Sequence, residues 1–281
     1  MKGTERNMNK IGISSCGFAL TEENFAALAE NGIEAIEIAM ATPQHKEINY
    51  RELAALRDRY GVELWSYHLP FAPFRDLEIS TLDRDLRLRT VAYFEELIAR
   101  AADIGIDKFV IHPSGEPIPA EEREDRMGYS MESLDRLAEF ANRNAAVIAV
   151  EDLPRTCLGN TAADMQRLLG ANDKLRVCFD TNHLLADTNL NFIRTLGDKI
   201  ITVHVSDYDF VDEKHWLPGE GSVDWNELYT ALTSAGYRGA WLYELGLRPP
   251  KTLARSRDLT FADFARNARE IMAGEKLTRI S

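Results

Sequence analysis

The sequence is poor in cysteine and contains no long hydrophobic run. Its three cysteines, Cys16, Cys157 and Cys178, form no close pair and no Cys-x-x-Cys unit. This argues against a disulfide framework and is typical of proteins in a reducing compartment. Cys16 and Cys178 stand in strand-like segments, where we expect them to be buried as small hydrophobic residues. No segment of about 18 apolar residues occurs, so we expect no membrane span and no membrane partner.

An apolar leader and a basic surface are also missing. The first ten residues, MKGTERNMNK, are polar and lead directly into a strand-like segment, so we expect no signal peptide and a cytoplasmic location. The chain has 33 lysines and arginines against 45 aspartates and glutamates, a net charge of −12. Because nucleic-acid binders need a cationic face to neutralise phosphates, we expect no nucleic-acid partner.

The sequence does contain a regular alternation of strand-like and helix-like segments along its 281 residues. The strand candidates are short, rich in β-branched and aromatic residues, and followed by polar, proline or glycine residues. They are IGISSCGF, AIEIAM, VELWSYHLP, KFVIHP, AVIAVEDLP, RVCFDTNH, IITVHVSDY and AWLYELGL. The helix candidates are amphipathic, and several begin at a capping residue such as Thr21. They span residues 22–31, 50–60, 82–104, 122–145, 161–170, 189–197, 224–235 and 260–273.

This alternation predicts a parallel sheet covered by helices. Eight strands and eight helices match a (β/α)8 TIM barrel, which usually has roughly 250 residues. The competing fold, a doubly wound open sheet, often carries a glycine-rich phosphate turn after its first strand, and SSCGFALTEENF offers none. Because no linker, low-complexity tract or repeat of fixed length occurs, we expect a single barrel domain over residues 1–281.

Ionisable side chains stand at the ends of most candidate strands. In a TIM barrel the carboxyl ends of the strands meet at one mouth, where the active site is built. The residues concerned are His68, His112, Glu151, Asp180, His183, His204, Asp207 and Glu244, with His215 in the loop after the seventh strand and His45 slightly further out. Taken singly, each has a structural explanation, such as a helix cap or a hydrogen-bonded histidine. Glu244, however, lies deep in apolar sequence, where an unpaired carboxylate is costly.

Four of these residues form a pattern that suits a metal ion. Glu151, Asp180, His204 and Glu244 come from four consecutive strands, with spacings of 29, 24 and 40 residues. Two glutamates, one aspartate and one histidine form an oxygen-rich ligand set, which suits Mn²⁺ or Mg²⁺ and also Co²⁺, Zn²⁺ or Fe²⁺. We therefore predict one divalent metal ion at the mouth of the barrel.

Four segments together resemble a known superfamily: AVEDLP, FDTNH, HVSDYDFVDEKHWLPGEGSVDW and YELG. They are similar to the xylose isomerase-like TIM barrels, and within these to the sugar phosphate isomerase/epimerase group that includes D-tagatose and D-psicose 3-epimerases. The resemblance extends from the first strand to the last helix and is most specific in residues 200–225. It implies that Glu151, Asp180, His204 and Glu244 are the metal ligands and that His183 contacts the substrate.

The resemblance also implies a reaction. A divalent cation would hold the carbonyl and adjacent hydroxyl of a keto-sugar and stabilise the enediolate formed on proton loss. Glu151 would remove a proton from the carbon beside the carbonyl, and Glu244 would return it on the other face. The substrate would thus be a small carbohydrate that is isomerised or epimerised. Members of the group are commonly dimers or tetramers, so a homodimer or homotetramer is expected.

One departure from the group leaves the substrate open. The ketose 3-epimerases carry an arginine six residues after the metal histidine, where this chain has Phe210, and the loop that follows is longer. A metal-dependent lyase acting on an inosose or a keto-glycoside is therefore an alternative. A non-catalytic sugar-binding barrel is a further one, although the presence of both Glu151 and Glu244 argues against it.

A zinc-dependent apurinic endonuclease of the same superfamily is the other alternative enzyme. The chain resembles these enzymes at His68, His112, Glu151, the Asp180–His183 pair, His204 and, with glutamate in place of aspartate, Glu213–His215. Such enzymes grip DNA and need a basic surface, so the net charge of −12 argues against this activity.

Further residues are candidates for the wall of the substrate site. His68, His112, His215 and Trp216 join His183 as predicted substrate contacts, and Trp65 and Phe71 are candidates for an apolar wall. The segment LPGEGSVDW (217–225) could cradle a phosphate, but its two glycines favour a tight turn before a helix. We expect this segment to close the mouth beside the metal.

Overall fold

A computed structural model describes residues 8–280 of the chain. The expectation that no signal peptide is present concerns mainly residues 1–7, which lie outside the described residues. Eight strands alternate with eight helices in the described part. The strands are β1 (Ile11–Ser14), β2 (Ala35–Ile38), β3 (Glu63–His68), β4 (Lys108–Ile111), β5 (Val147–Glu151), β6 (Arg176–Asp180), β7 (Ile200–His204) and β8 (Trp241–Tyr243). The helices are α1 (Glu22–Glu30), α2 (Tyr50–Tyr60), α3 (Arg84–Ala102), α4 (Arg123–Arg143), α5 (Ala162–Leu169), α6 (Asn189–Leu196), α7 (Trp225–Ser234) and α8 (Phe261–Ala273).

All of these strands are parallel, and neighbours in sequence are neighbours in the sheet. Pairing runs from β1 to β7, and β8 pairs with β1 on the other side. Between β7 and β8 the sheet nearly closes through an isolated β-bridge between Val205 and Tyr243. The amide of Val205 donates to the carbonyl of Leu242 at 2.8 Å. The TIM barrel predicted from the alternation is confirmed.

Capping residues set where several helices begin. The side chains of six residues before a helix accept a hydrogen bond from an amide of its first turn, which satisfies a group that has no partner within the helix. These residues are Thr21, Asn49, Asp83, Thr161, Thr188 and Asp224. Each interaction contributes about 1 kcal/mol to stability. The helices consequently begin within two residues of the predicted positions.

The strands are buried on both faces, as expected for a sheet that encloses a packed interior and is covered by helices. Every residue of β1 and β2 is buried, as are the last four residues of β5 and β6. No helix among residues 8–280 combines the length and the apolar character needed to cross a membrane.

Of the two cysteines expected in strands, the structure places one there. Cys178 is buried in β6, as expected. The expectation for Cys16 is wrong, because Cys16 is exposed and belongs to a 3₁₀ turn, Ser15–Gly17, that follows β1. The Ser15 hydroxyl donates to the carbonyl of Ala39 and accepts from its amide, both at 2.8 Å. These side-chain bonds lie one residue beyond the end of β1, where the chain leaves the sheet and carries Cys16 to the mouth of the barrel.

Candidate active site

Ionisable side chains from seven of the described strands meet at the carboxyl end of the barrel. Each belongs to the last residue of its strand or the residue that follows, except the side chain from β2, which comes from the third residue. The seven are Glu37, His68, His112, Glu151, Asp180, His204 and Glu244. His112 and Glu244 are each 15% exposed and the others are buried.

His204 lies at the centre of this group. Its Nδ1 atom is 3.2 Å from Glu151 Oε1, 3.3 Å from Glu244 Oε2 and 3.9 Å from Asp180 Oδ2. One possible ligand atom from each of these four residues lies within 4.8 Å of the others. The structure therefore brings together the four residues that the sequence selects as metal ligands.

The chemistry of these four residues fits a divalent cation. Three carboxylates share the site, and within residues 8–280 no lysine or arginine forms an ion pair with them. Asp180 Oδ2 is buried with no hydrogen-bond partner among the described residues. Burial, reinforced by the carboxylates of Glu244 and Glu151, raises the pKa of Asp180 to about 7. A cation would supply the missing partner and relieve the repulsion.

Glu37 completes the site, and the sequence analysis missed it. Its carboxylate is fully buried, accepts a hydrogen bond from Ser66 Oγ at 2.8 Å and lies 3.1 Å from His204 Nε2. With Nε2 donating to Glu37, Nδ1 faces the three carboxylates and can give up its proton when a cation binds there. The Glu37–His204 pair therefore holds the imidazole with Nδ1 toward Glu151, Asp180 and Glu244, the orientation that a metal ligand would need. The one signal in the sequence is a charged residue inside the apolar strand AIEIAM.

Two further histidines hold the carboxylate of Glu151. Its Oε2 atom is 3.1 Å from His68 Nε2 and 3.3 Å from His112 Nε2, while Oε1 faces His204. Burial opposes the charge on Glu151, but the histidines, His204 foremost, outweigh it and keep the pKa of this carboxyl well below its usual range. Burial also opposes the charge on His68, yet the hydrogen bond to Glu151 raises its pKa to about 9. His68 and His112 thus hold the position of Glu151, and His204 and His112 favour its charged form.

A second cluster lies beside the first and consists of His183, Glu213 and His215, whose possible ligand atoms lie within 4.8 Å of one another. His183 Nδ1 donates to a backbone carbonyl of the β5–α5 loop at 2.8 Å, which turns Nε2 toward Asp180 Oδ2 at 3.6 Å and Glu213 Oε2 at 3.4 Å. The hydrogen bond from His183 lowers the pKa of Glu213 to about 2. His215 Nδ1 lies 3.1 Å from the carbonyl oxygen of Glu244. Both predicted histidines therefore lie at the edge of the site.

Trp216 lies outside this arrangement and does not line the cavity described below. Its backbone pairs with that of Asp207 in both directions, at 2.7 and 3.0 Å. The indole Nε1 donates to Thr252 Oγ1 at 3.0 Å in an exposed hydrogen bond. The structure therefore gives Trp216 no place in the substrate wall.

Asp207, another residue of the predicted rim, organises the segment 217–225. Its carboxylate accepts hydrogen bonds from the Gly219 amide at 2.8 Å, the Val223 amide at 3.1 Å and the Trp225 indole at 2.9 Å. A Cβ atom at Gly221 would lie 2.3 Å from Asp207 Oδ1, so this position requires glycine. Because Asp207 occupies two of its amides, the segment forms the tight turn that the sequence favoured over a phosphate cradle.

The two clusters lie at the floor of a cavity of about 830 Å³, although Asp180 and His204 do not themselves line it. His68, His112 and His183 reach it together with Glu151 and Glu244, and His215, Glu213 and Cys16 lie at its side. Of the two aromatic candidates, Phe71 lines the cavity, whereas Trp65 donates through Nε1 to Thr202 and does not reach it.

Comparison with known proteins gives consistent matches over most of the chain. Residues 25–262 match the family model described as the xylose isomerase-like TIM barrel. A D-psicose 3-epimerase of Ruminiclostridium cellulolyticum is 27% identical over 262 residues, which cover 87% of this chain and 84% of the relative. An uncharacterised protein of Methanocaldococcus jannaschii is 28% identical over 82% of this chain and 81% of its own length. The crystal structure of a D-tagatose 3-epimerase-like protein superposes with a TM-score of 0.78 and 25% identity, covering 94% of this chain and 96% of that one.

Proposed function

The chain belongs to the xylose isomerase-like TIM barrel family, and we propose that it is a divalent-metal-dependent isomerase or epimerase of a keto-sugar. The observation that carries this proposal is the position of Glu151 and Glu244. Both carboxylates approach His204 Nδ1, at 3.2 and 3.3 Å, and both line the floor of one cavity. Two carboxylates placed in this way can remove a proton from one face of a substrate carbon and return it on the other.

Glu151, Asp180, His204 and Glu244 would hold the cation, with Glu37 orienting His204. When bound, the cation supplies electrophilic stabilisation of the negative charge that develops on the substrate oxygens. Manganese, cobalt, magnesium and zinc all suit this ligand set.

The remaining steps belong to side chains of this chain. Glu151 removes the proton from the carbon beside the carbonyl, while His68 and His112 hold its Oε2 atom in place. Glu244, after taking up a proton from solvent, returns it on the opposite face, and Glu151 releases its proton to solvent. His183 lies at the edge of the cavity with its ring fixed through Nδ1, and it hydrogen-bonds a substrate hydroxyl through Nε2. Residues 69–74 of the β3–α3 loop line the outer part of the cavity.

The experiment is exchange of solvent deuterium into D-fructose, D-tagatose and D-psicose, followed by NMR with the metal-supplemented protein. We expect exchange at a carbon beside the carbonyl and a loss of about 10²- to 10⁴-fold in Glu151→Gln, the range for a general base. Glu132→Gln, at an exposed glutamate on α4, is the matched control. No exchange with any keto-sugar after metal reconstitution would contradict the proposal, and an unsaturated product would instead identify a lyase.

A second candidate is metal-dependent cleavage of DNA at abasic sites, because His183, Glu213 and His215 add a second set of possible metal ligands beside the first. The net charge of −12 argues against a DNA substrate. Metal-dependent nicking of an abasic duplex would favour this activity over the isomerase.

Several expectations about the whole molecule stay predictions. These are the single domain over residues 1–281, the cytoplasmic location, the absence of a nucleic-acid partner, and the homodimer or homotetramer. Size-exclusion chromatography with light scattering tests the last of these.

A further inference from the structure

The cavity is larger than a free hexose needs. A water molecule occupies about 30 Å³ in the liquid, and we take about half of that for each heavy atom of a sugar. A hexose, with its 12 heavy atoms, then occupies on the order of 200 Å³. The cavity has about 830 Å³, toward the upper end of the roughly 300–1,000 Å³ typical of small-molecule sites. A sugar whose carbonyl end contacts Glu151 and Glu244 at the floor therefore leaves most of the outer part unfilled.

The outer part of the cavity is apolar. The β3–α3 loop, residues 69–74, contributes two phenylalanines, two prolines, a leucine and an alanine to its wall, and Met40, Leu153 and Leu245 line it from other loops. Apart from the floor residues and His215, the polar side chains of the lining are those of Thr42, Ser114, Glu116, Arg155 and Glu213, so the β3–α3 side is the apolar part of the outer wall. The outer wall therefore favours an apolar part of a ligand.

Phe71 is the most accessible part of this wall. Its ring stacks on His112 with centroids 4.2 Å apart and planes 19° apart. The residue is nevertheless 43% exposed, which makes it one of the few large hydrophobic residues with so much free surface in the part of the chain that the structure describes. An apolar group seated against Phe71 would remove this surface from water and add a ring contact.

The charges at the rim are unfavourable to a phosphate. Arg155 is the one lysine or arginine among the described residues that line the cavity. Its guanidinium already binds Glu116 at 2.5 and 2.8 Å, Asp212 at 2.8 Å and Glu213 at 3.0 Å. Three carboxylates outnumber the guanidinium and the His183 imidazole that contacts Glu213, so a phosphate dianion would meet a negative rim and no free cation.

From these observations we propose that the substrate is an uncharged keto-sugar conjugate, with an apolar group on the end remote from its carbonyl, rather than a sugar phosphate. The sugar lies on the polar floor, and the apolar group lies against Phe71 and the β3–α3 loop. This inference rests on the proposed function and names the substrate class for it.

The test compares D-fructose, 6-O-benzyl-D-fructose and D-fructose 6-phosphate with the full chain supplemented with Mn²⁺. Both substituted sugars carry their group on the same oxygen and neither can form a six-membered ring, so they differ in charge and apolarity. Deuterium exchange and product formation give kcat/KM for each sugar. Calorimetry on Glu151→Gln gives a dissociation constant in the absence of turnover.

We expect kcat/KM for the benzyl ether to exceed that for D-fructose by about 10- to 100-fold, the gain for burying an aromatic ring. The 6-phosphate should fall at least about tenfold below D-fructose. Phe71→Ala should bring the ratio of kcat/KM for the benzyl ether to kcat/KM for D-fructose close to one. Phe210 is an exposed phenylalanine that does not line the cavity, so Phe210→Ala should leave this ratio unchanged. Glu116→Gln should raise the phosphate-to-fructose ratio about tenfold, and Glu132→Gln should not.

The outcomes separate this inference from the proposed function. Exchange with D-fructose but no preference for the benzyl ether, or a preference for the phosphate, overturns the inference and leaves the function standing. Exchange with none of the sugars contradicts the function. Calorimetry then decides on the apolar site: tighter binding of the benzyl ether that depends on Phe71 supports it, and equal binding of the benzyl ether and D-fructose overturns it.

Discussion

Replacing Glu37 by glutamine probes how the barrel prepares His204 to bind a metal. Both side chains are fully buried, and the Glu37 Oε2 to His204 Nε2 distance is 3.1 Å. The substitution keeps the size of the side chain but removes the charge that fixes the proton on Nε2. Loss of such a partner typically weakens metal affinity by about 10- to 100-fold, equivalent to about 1.4–2.7 kcal/mol. Because no solvent screens this pair, we expect the upper part of the range.

The assay is the dissociation constant for Mn²⁺ or Zn²⁺, measured by chelator competition on metal-free protein, with urea unfolding of the same samples. Ser66→Ala removes one hydrogen bond from Glu37 but keeps its charge, so a weakening of only a few-fold is expected. Glu63→Gln, at an exposed ion pair with Lys10, is the matched control and should have no effect. Unchanged metal affinity in folded Glu37→Gln would show that Glu37 does not prepare His204 to bind a metal.

Three other predictions concern stability. Burial lowers the pKa of His45 from 6.5 to about 4, so between these pH values the unfolded chain binds a proton that the folded chain does not, and stability is lost as the pH falls. Between pH 7 and 4 the free energy of unfolding, measured with urea, should fall by about 3 kcal/mol more in the wild type than in His45→Gln. A difference between the two proteins that does not change with pH would contradict this. Asp207→Ala leaves the Gly219 and Val223 amides and the Trp225 indole without their acceptor, and should lower the free energy of unfolding by about 3–5 kcal/mol, whereas Asp224→Ala, which removes a single helix cap, should cost about 1 kcal/mol. Divalent metal at 100 times its dissociation constant should stabilise the folded chain by about 2.7 kcal/mol and raise the melting temperature, and an effect retained in His204→Ala would show that the metal binds elsewhere.

Much of the barrel could be predicted because local chemistry determines it. Thr21 and Asp224 cap their helices through their own side chains, so a few neighbouring residues determine where each of these helices begins. The grouping of Glu151, Asp180, His204 and Glu244 followed from one further rule, that parallel strands end at the same mouth. No knowledge of side-chain conformation was needed for either prediction.

The residues that sequence analysis missed or misplaced depend on contacts between distant segments. Glu37 stands inside a strand and resembles a solvated charge until β3 and β7 bring Ser66 and His204 against it. Trp216 does not line the cavity, and its backbone pairs with Asp207, nine residues earlier, while its indole bonds Thr252. Likewise, Cys16 leaves the strand because Ser15 binds the backbone of Ala39. None of these pairings has a periodic signature in the sequence.

The most direct test of the account is the divalent-metal content of protein purified without chelator, measured by elemental analysis. About one Mn, Co, Mg or Zn per chain is expected, lost in His204→Ala and retained in His45→Ala, a histidine buried away from the cavity. Two or three zinc ions per chain would favour the endonuclease-like activity. No bound metal, even after soaking in divalent salts, would contradict the account, because Glu151, Asp180, His204 and Glu244 would then not form a metal site.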